Sequence, residues 1–376
     1  MTKLAHVWSS DMGAAAALPH MRPFVDAGWQ VFVICPDGPR LDGVRRAGFT
    51  WLPLSLARRL VDPVGDARAA AEIIGYCRRE RFDVVHTHNI KAGLLGRVAA
   101  SLGGTPRIVH TMHGMPFDRE TPLPRRLGHI ALEWMACRFV DRVLVQSRAD
   151  EATMRAARVL SPRKLVRIGN GVPLDRFDPA RADGRAIRAA LALRPEDVLF
   201  VSAGRLVREK GFVELADAAG RARDRDPRVR VAIAGPLDED KADCLSPDEM
   251  ARARAAGVLF VGERTDMPDV LAAADAAVLP SWREGLPRFL MEAAAMGKPL
   301  LASDVRGCRE VVDPPRGGAL VPVRSAPAWA DALVALAADP AARGAIGAYN
   351  RARALEEYDI RAVIRRLEAV YRELGA

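Results

Sequence analysis

A chain of 376 residues is too long for one ordinary hydrophobic core and suits two domains, and 49% hydrophobic with 27% charged residues excludes a disordered polymer. No uncharged run approaches the ~18 residues that span a bilayer, and no secretory cleavage site follows the start, so a reducing cytosol is the expected setting. The net charge of +9 lies wholly in residues 1–165, which hold 24 basic and 15 acidic residues against 32 and 32 beyond, so the first half is expected to meet an anionic partner.

In the first half, Leu4–Trp8, Trp29–Cys35, Val84–Thr87, Ile108–Thr111 and Val143–Gln146 are short apolar runs that predict strands. Pro63–Glu80 and Pro124–Phe139 between them have helical spacing. The alternation predicts a parallel sheet with helices on both faces. The first strand is followed by Ser9-Ser-Asp-Met-Gly13, the third by His86-Thr-His88-Asn89-Ile-Lys91-Ala-Gly93, and the fourth by His110-Thr-Met-His113-Gly114. Four of the seven histidines thus fall at adjacent strand ends. No helical face gathers them and no nearby Cys or Glu completes a set, which argues against zinc. His110 reads as a structural strand residue, and Lys91 equally as a solvated lysine at a helix start. The stripe Leu127, Ile130, Ala131 and Trp134 reads as core, with Arg125 and Arg126 beside it leaving a membrane-surface alternative. Five scattered cysteines (Cys35, Cys77, Cys137, Cys244, Cys308) predict neither a disulfide framework nor a metal site.

Arg167-Ile-Gly-Asn-Gly-Val-Pro-Leu-Asp-Arg-Phe-Asp-Pro179 is a turn-rich linker. The strand pattern then restarts with Val198–Ala203, Val229–Ala234, Val258–Val261, Ala276–Leu279 and Leu300–Ser303. The expected layout is a Rossmann-like domain over 1–168, a linker over 169–180, a second such domain over 181–355, and a last helix over 356–376 able to pack back on the first domain. Ligands of open α/β sheets lie outside the carboxyl ends of the strands, so two such domains facing each other would enclose a cleft.

Two strand ends in the second half carry chemistry. Gly204-Arg205-Leu-Val-Arg-Glu-Lys210-Gly211 places Arg205 and Lys210 between glycines, suited to clamping a diphosphate as its charge grows. Ser281-Trp-Arg-Glu-Gly-Leu-Pro-Arg-Phe-Leu-Met-Glu-Ala-Ala-Ala-Met-Gly-Lys-Pro299 follows a strand, and its Pro287 suits the first turn of a helix whose free N–H groups would hold an anion. Glu284 then lies ahead of the helix and Glu292 within it, both able to accept hydrogen bonds from sugar hydroxyls. Asp224-Arg-Asp226 and Asp238-Glu-Asp240 imitate a metal-binding Asp-x-Asp pair but lie in hydrophilic runs beside Pro227 and Pro236, and they read as surface loops.

Glu284 and Glu292, with the flanking Arg-Glu-Gly-Leu-Pro and the trailing Gly-Lys-Pro, resemble the Glu-x7-Glu motif of glycosyltransferase family 4. The resemblance covers nearly the whole chain. It implies the GT-B fold, a retaining mechanism and a nucleotide diphosphate sugar as donor. It places Glu284 by the transferred sugar, Glu292 on the ribose, Arg205 and Lys210 on the diphosphate, and Gly204, Gly285, Leu286 and Pro287 around the donor. Gly262 and Arg264, in Val258-Leu-Phe-Val-Gly262-Glu-Arg264, resemble the family's turn at the nucleobase, and His113 matches the histidine beside the transferred sugar. The His88-Asn89-Ile-Lys91 segment resembles the subgroup that extends polyprenyl-diphosphate-linked sugars, so His88, Asn89 and Lys91 become candidates for the acceptor. One departure is the loop around Gly13, which has a single glycine where many members have several.

The expected activity is hexosyl or N-acetylhexosaminyl transfer from a UDP-sugar, with a GDP-sugar as the other donor, to a lipid-linked saccharide in surface polysaccharide synthesis. It would proceed without metal or cofactor, on the inner face of the cell membrane. A transferase acting on a small soluble acceptor and an epimerase of similar fold are alternatives. A nucleic-acid-binding protein, suggested by the basic charge, lacks interleaved aromatics and a recognition motif.

Overall fold

The computed structural model describes residues 1–57, 62–117, 121–239 and 241–376. The chain forms two compact units, Met1–Asn170 with Ile360–Ala376, and Gly171–Asp359.

The first unit holds seven strands: β1 Lys3–Val7, β2 Gln30–Cys35, β3 Thr50–Pro53, β4 Val84–His88, β5 Ile108–Met112, β6 Arg142–Val145 and β7 Leu165–Arg167. They pair in parallel in the order β3-β2-β1-β4-β5-β6-β7. Side chains alternate across the sheet, so Ala5, Val7 and Val85 join the core under one face while Leu4, Trp8 and Val84 join the core under the other. The second face is closed by helix Asp11–Asp26 and by the C-terminal helix Ile360–Glu373, which inserts Val363, Leu367, Val370 and Tyr371 beside Met21 and Phe24.

The second unit holds six: β8 Val198–Ala203, β9 Val229–Ala234, β10 Val258–Gly262, β11 Ala276–Leu279, β12 Leu300–Ser303 and β13 Gly318–Val321, in the parallel order β10-β9-β8-β11-β12-β13. The strands that the apolar pattern does not show, β3, β7 and β13, all lie at sheet edges. An edge strand contributes few core side chains and shows no long apolar run, as in the half-exposed Thr50–Pro53.

Each sheet reverses its winding once, between β1 and β4 and between β8 and β11. At such a switch point the loops leave in opposite directions and open a crevice at the carboxyl ends. The loops after β1, β4, β8 and β11 therefore border these crevices.

Helix Leu123–Ala136 is inverted relative to the expected packing. Its inward side carries Glu133, which accepts from Arg97 Nη2 at 2.9 Å with both side chains buried. Leu123, Leu127, Leu132, Trp134 and Met135 face outward. The stripe read as core is thus exposed at Leu127, Ala131 and Trp134, and only Ile130 packs inward. The reason is local: the space under the helix is filled by the Arg97–Glu133 pair, whose removal in half would strand a buried charge at a cost of about 3–5 kcal/mol. Among the described residues, no helix is long and apolar enough to cross a membrane.

Candidate active site

In the second unit, three glycines stand side by side at the ends of β8, β9 and β10. Gly204 donates its N–H to Ala234 O at 2.9 Å, and Gly235 donates to Gly262 O at 2.8 Å. A Cβ on Gly235, at φ +150°, would lie 1.8 Å from Gly204 O, so only glycine allows the loops to close this tightly. The loop after β8 then presents Arg205 and Lys210. Arg205 Nη1 donates to Asp238 Oδ2 at 2.6 Å, and Lys210 Nζ donates to Glu284 Oε1 at 2.6 Å.

Asp238 therefore is not the surface-loop residue expected from its hydrophilic run. It is buried and serves as the counter-ion of Arg205. Asp240 lies outside the described residues. Asp224 ends helix Phe212–Arg225 on the surface, and Asp226, which caps that helix, pairs with Arg228.

After β11, the segment Glu284-Gly285-Leu286-Pro287 leads into helix Arg288–Ala295. Pro287 is the residue before the helix rather than in its first turn, because its ψ of 107° is extended. No side chain caps this end, which leaves first-turn N–H groups available to an anion. A Cβ on Gly307 would lie 2.3 Å from Gly285 O, so that glycine lets the next loop brace the segment. Glu292 lies within the helix, with Arg288 Nε donating to it at 3.4 Å. Burial pushes its carboxyl above the usual range, against the pull of Arg288 and Arg176. Ser281 Oγ and Ser303 Oγ, just after β11 and at the end of β12, are buried hydroxyls with no partner among the described residues. The Gly262–Arg264 turn is at the end of β10, where the Arg264 side chain is taken up by Asp266.

In the first unit, the alternation of β4 puts His86 and His88 on one face, and the register of β1 brings His6 beside His86. His110 points to the other face, where Gly93 leaves room for its ring: a Cβ there would lie 2.3 Å from His110 Cε1. His6, His86 and His88 each bring a ring nitrogen within 4.8 Å of the others. Those nitrogens are largely committed. His86 meets Tyr371 Oη at 2.6 Å and Thr111 Oγ1 at 2.7 Å, while His88 meets His6 Nδ1 at 2.9 Å and His113 Nε2 at 3.1 Å. His113, after β5, is exposed. Burial holds His6 down to about 3 and His86, His88 and His110 well below 6.5, so all four are neutral near pH 7.

His88 is therefore corrected as an acceptor ligand: it is buried with both nitrogens occupied. Gly13 is corrected as well. It lies in the first turn of helix Asp11–Asp26, and a Cβ there would sit 3.0 Å from the Trp8 ring, so its smallness serves packing. Asn89 caps helix Ile90–Leu102 at φ 61°, ψ 173°, a conformation that is strained for any residue but glycine, and accepts from Ser9 Oγ at 3.2 Å. Lys91 pairs with Asp66 at 2.7 Å and donates to Ala57 O at 3.0 Å. Motif reading does not reach His6 or Tyr371, and it places the buried Asp238 on the surface. A polar residue alternating with Leu4 and Trp8 in an apolar strand is the available signal for His6; Tyr371 has none.

Two family models match the chain: Glycosyltransferase Family 4 over residues 21–176 and Glycosyl transferases group 1 over residues 197–339. The D-inositol 3-phosphate glycosyltransferase of Jonesia denitrificans is 31% identical over 292 residues, covering 73% of this chain and 68% of that one. The chain belongs to glycosyltransferase family 4. An Escherichia coli relative, the UDP-Gal:alpha-D-GlcNAc-diphosphoundecaprenol alpha-1,3-galactosyltransferase, is 29% identical over 316 residues, covering 83% of this chain and 81% of its own. The solved structure of Anabaena HepE with UDP and glucose superposes with a TM-score of 0.83 at 19% identity, covering 99% of this chain and all of that one, which shows the shared GT-B fold. As a family member the chain is a nucleotide-sugar glycosyltransferase. In the second unit Lys210 and Glu284, from the loops after β8 and β11, meet at the switch point between those strands.

Proposed function

We propose that this enzyme takes a hexose or N-acetylhexosamine from a UDP-sugar and attaches it, with retention at the anomeric carbon, to a saccharide carried on a polyprenyl diphosphate at an anionic membrane surface. The observation that carries the membrane part is the outward apolar face of helix Leu123–Ala136. Arg125 is exposed on it, and the Arg138 guanidinium stacks on Trp134 at 3.8 Å. The unit that bears it holds 29 basic and 17 acidic residues, net +12, against 27 and 30, net −3, in the other. A basic, aromatic-bearing apolar face suits the boundary between headgroups and acyl chains. The acceptor in the name of the Escherichia coli relative is itself lipid-linked.

In this reading Arg205, Lys210 and the first-turn N–H groups of helix Arg288–Ala295 take up the charge of the departing diphosphate. The bond from C1 to the diphosphate oxygen breaks as the acceptor oxygen bonds to C1 on the same face, and the acceptor's proton passes to the diphosphate. Glu284 and His113 act on the sugar, Glu292 on the ribose and the Gly262–Arg264 backbone on the base. Asn89 and Lys91 serve the acceptor, Lys91 by exchanging Asp66 for an anionic group. The cations supply the positive charge, so no divalent ion is required.

The relatives named for D-inositol 3-phosphate favour a second reading, a small phosphorylated acceptor. The test offers UDP-hexoses and UDP-N-acetylhexosamines with either GlcNAc-diphosphate on a long alkyl chain or inositol 3-phosphate, with and without EDTA. An α-linked product on the alkyl acceptor, formed in EDTA, is expected. Transfer to inositol phosphate alone would replace the lipid reading. Activity lost in EDTA and restored by Mn²⁺ would overturn the metal-free mechanism.

A further inference from the structure

The sequence pattern makes His88 a candidate acceptor ligand, but its surroundings give it another task. The His88 ring lies parallel to the Trp8 ring at 3.7 Å and 4°, and it also stacks against His86 at 4.3 Å and 26°. Trp8 can hold that place because Gly13 has no side chain. The plane of His88 is thus fixed, and with it the direction of both nitrogens. Nε2 meets His6 Nδ1 and Nδ1 meets His113 Nε2, forming a chain His6–His88–His113 that runs from the core to the exposed end of β5.

Burial keeps His6 and His88 neutral, so each carries one N–H. Each N···N contact needs one donor and one lone pair, so the whole chain has two arrangements. In one, protons point outward: His6 Nδ1–H donates to His88 Nε2, and His88 Nδ1–H donates to His113 Nε2. His6 Nε2 is then a bare lone pair. In the other, every proton points inward and His6 Nε2 carries an N–H. That atom is buried and has no partner among the described residues. An orphaned buried N–H is rarer in proteins than an unfilled acceptor site, so the outward arrangement is favoured.

We infer that His88 is a positioning residue that sets the tautomer and orientation of His113, holding its Nε2 as an acceptor so that Nδ1 carries the ring's N–H. The inference rests on the reading that His113 acts in sugar transfer. The chain ends inside the core at His6, so it has no exit for a proton. It orients His113 and does not conduct. A ring whose N–H has a fixed direction contributes a directed hydrogen bond at the moment charge develops, with no reorganisation left to do.

Two measurements test this. The first is the ¹⁵N shift and one-bond coupling pattern of His113 in the wild-type protein, which reports its tautomer without any substitution. The Nδ1–H form is expected; the Nε2–H form would overturn the inference, whether or not transferase activity has been found. The second compares three variants. Asn places an amide N–H where the His88 Nδ1–H lies, whereas Gln reaches only toward His6. His88→Phe and His88→Gln are expected to lower kcat by more than tenfold with KM for the nucleotide sugar within about twofold, and His88→Asn to recover at least half of that loss on a logarithmic scale. Equal kcat in His88→Phe and wild type, or no recovery in His88→Asn beside an equally stable His88→Gln, would overturn the role of His88. Loss of turnover in His113→Ala alone would leave the transferase reading standing.

Discussion

Lys210 Nζ lies 2.6 Å from the Glu284 carboxylate, an ion pair that joins the loop after β8 to the loop after β11. In the proposed function the first takes up diphosphate charge and the second a sugar hydroxyl, and in the free protein each neutralises the other. Binding the donor therefore exchanges one ion pair for another. Glu284→Gln should release Lys210 to the diphosphate and leave UDP affinity equal or stronger. It should lower kcat by roughly ten- to a hundredfold, the worth of about 1.5–3 kcal/mol for a hydrogen bond to a charged group. Calorimetry with UDP beside steady-state kinetics checks the split; a variant that loses UDP affinity contradicts it.

Glu292, assigned to the ribose in the proposed function, is buried, and burial raises its pKa. Only the ionised carboxylate accepts from both hydroxyls of a ribose. Acidification should therefore weaken nucleotide binding as the pH falls toward the raised pKa of Glu292, earlier than an ordinary carboxyl would. Glu292→Ala should cost roughly 1.5–3 kcal/mol of binding at neutral pH and flatten that dependence. Titrations with UDP at several pH values decide it, and a variant with wild-type affinity removes Glu292 from the ribose.

The four buried histidines tie stability to pH. Their folded-state pKa values lie below the unfolded value of about 6.5, so acid favours proton uptake by the unfolded chain. Stability is full above that pH and is lost as the pH falls below it, by up to about 1.4 kcal/mol per pH unit for each group. His6, held to about 3, stays on that slope down to about pH 3. Urea midpoints measured from about pH 7.5 down to about pH 5 should decline; a flat series would contradict burial of neutral rings.

The outward face of helix Leu123–Ala136 should deliver the protein to anionic vesicles. Leu127→Ser with Trp134→Ser should leave the thermal midpoint nearly unchanged, since both side chains are exposed. Co-sedimentation with anionic vesicles should fall several-fold, and salt should weaken binding by the native chain through screening of its arginines. Equal recovery of native and variant protein would remove this helix from membrane binding.

Much of this is legible in the order of residues. Short apolar runs separated by helical spacing are a local property, so the two parallel sheets and the strand ends bearing Arg205, Lys210, Glu284 and His113 follow from the sequence pattern alone. Edge strands such as Leu165–Arg167 bury too little to leave that mark. Tertiary structure alone decided which partners these side chains meet. Periodicity tells which residues share a face, but not what covers it. His88 and His6 are 82 residues apart, Lys210 and Glu284 74, and His86 and Tyr371 285. Asp238 became a counter-ion because the loop after β9 folds onto Arg205. The stripe on helix Leu123–Ala136 faced outward because Arg97, from another helix, needed Glu133 beneath it. Burial turns an exposed-looking charge into a required pair, and burial is a property of the folded chain.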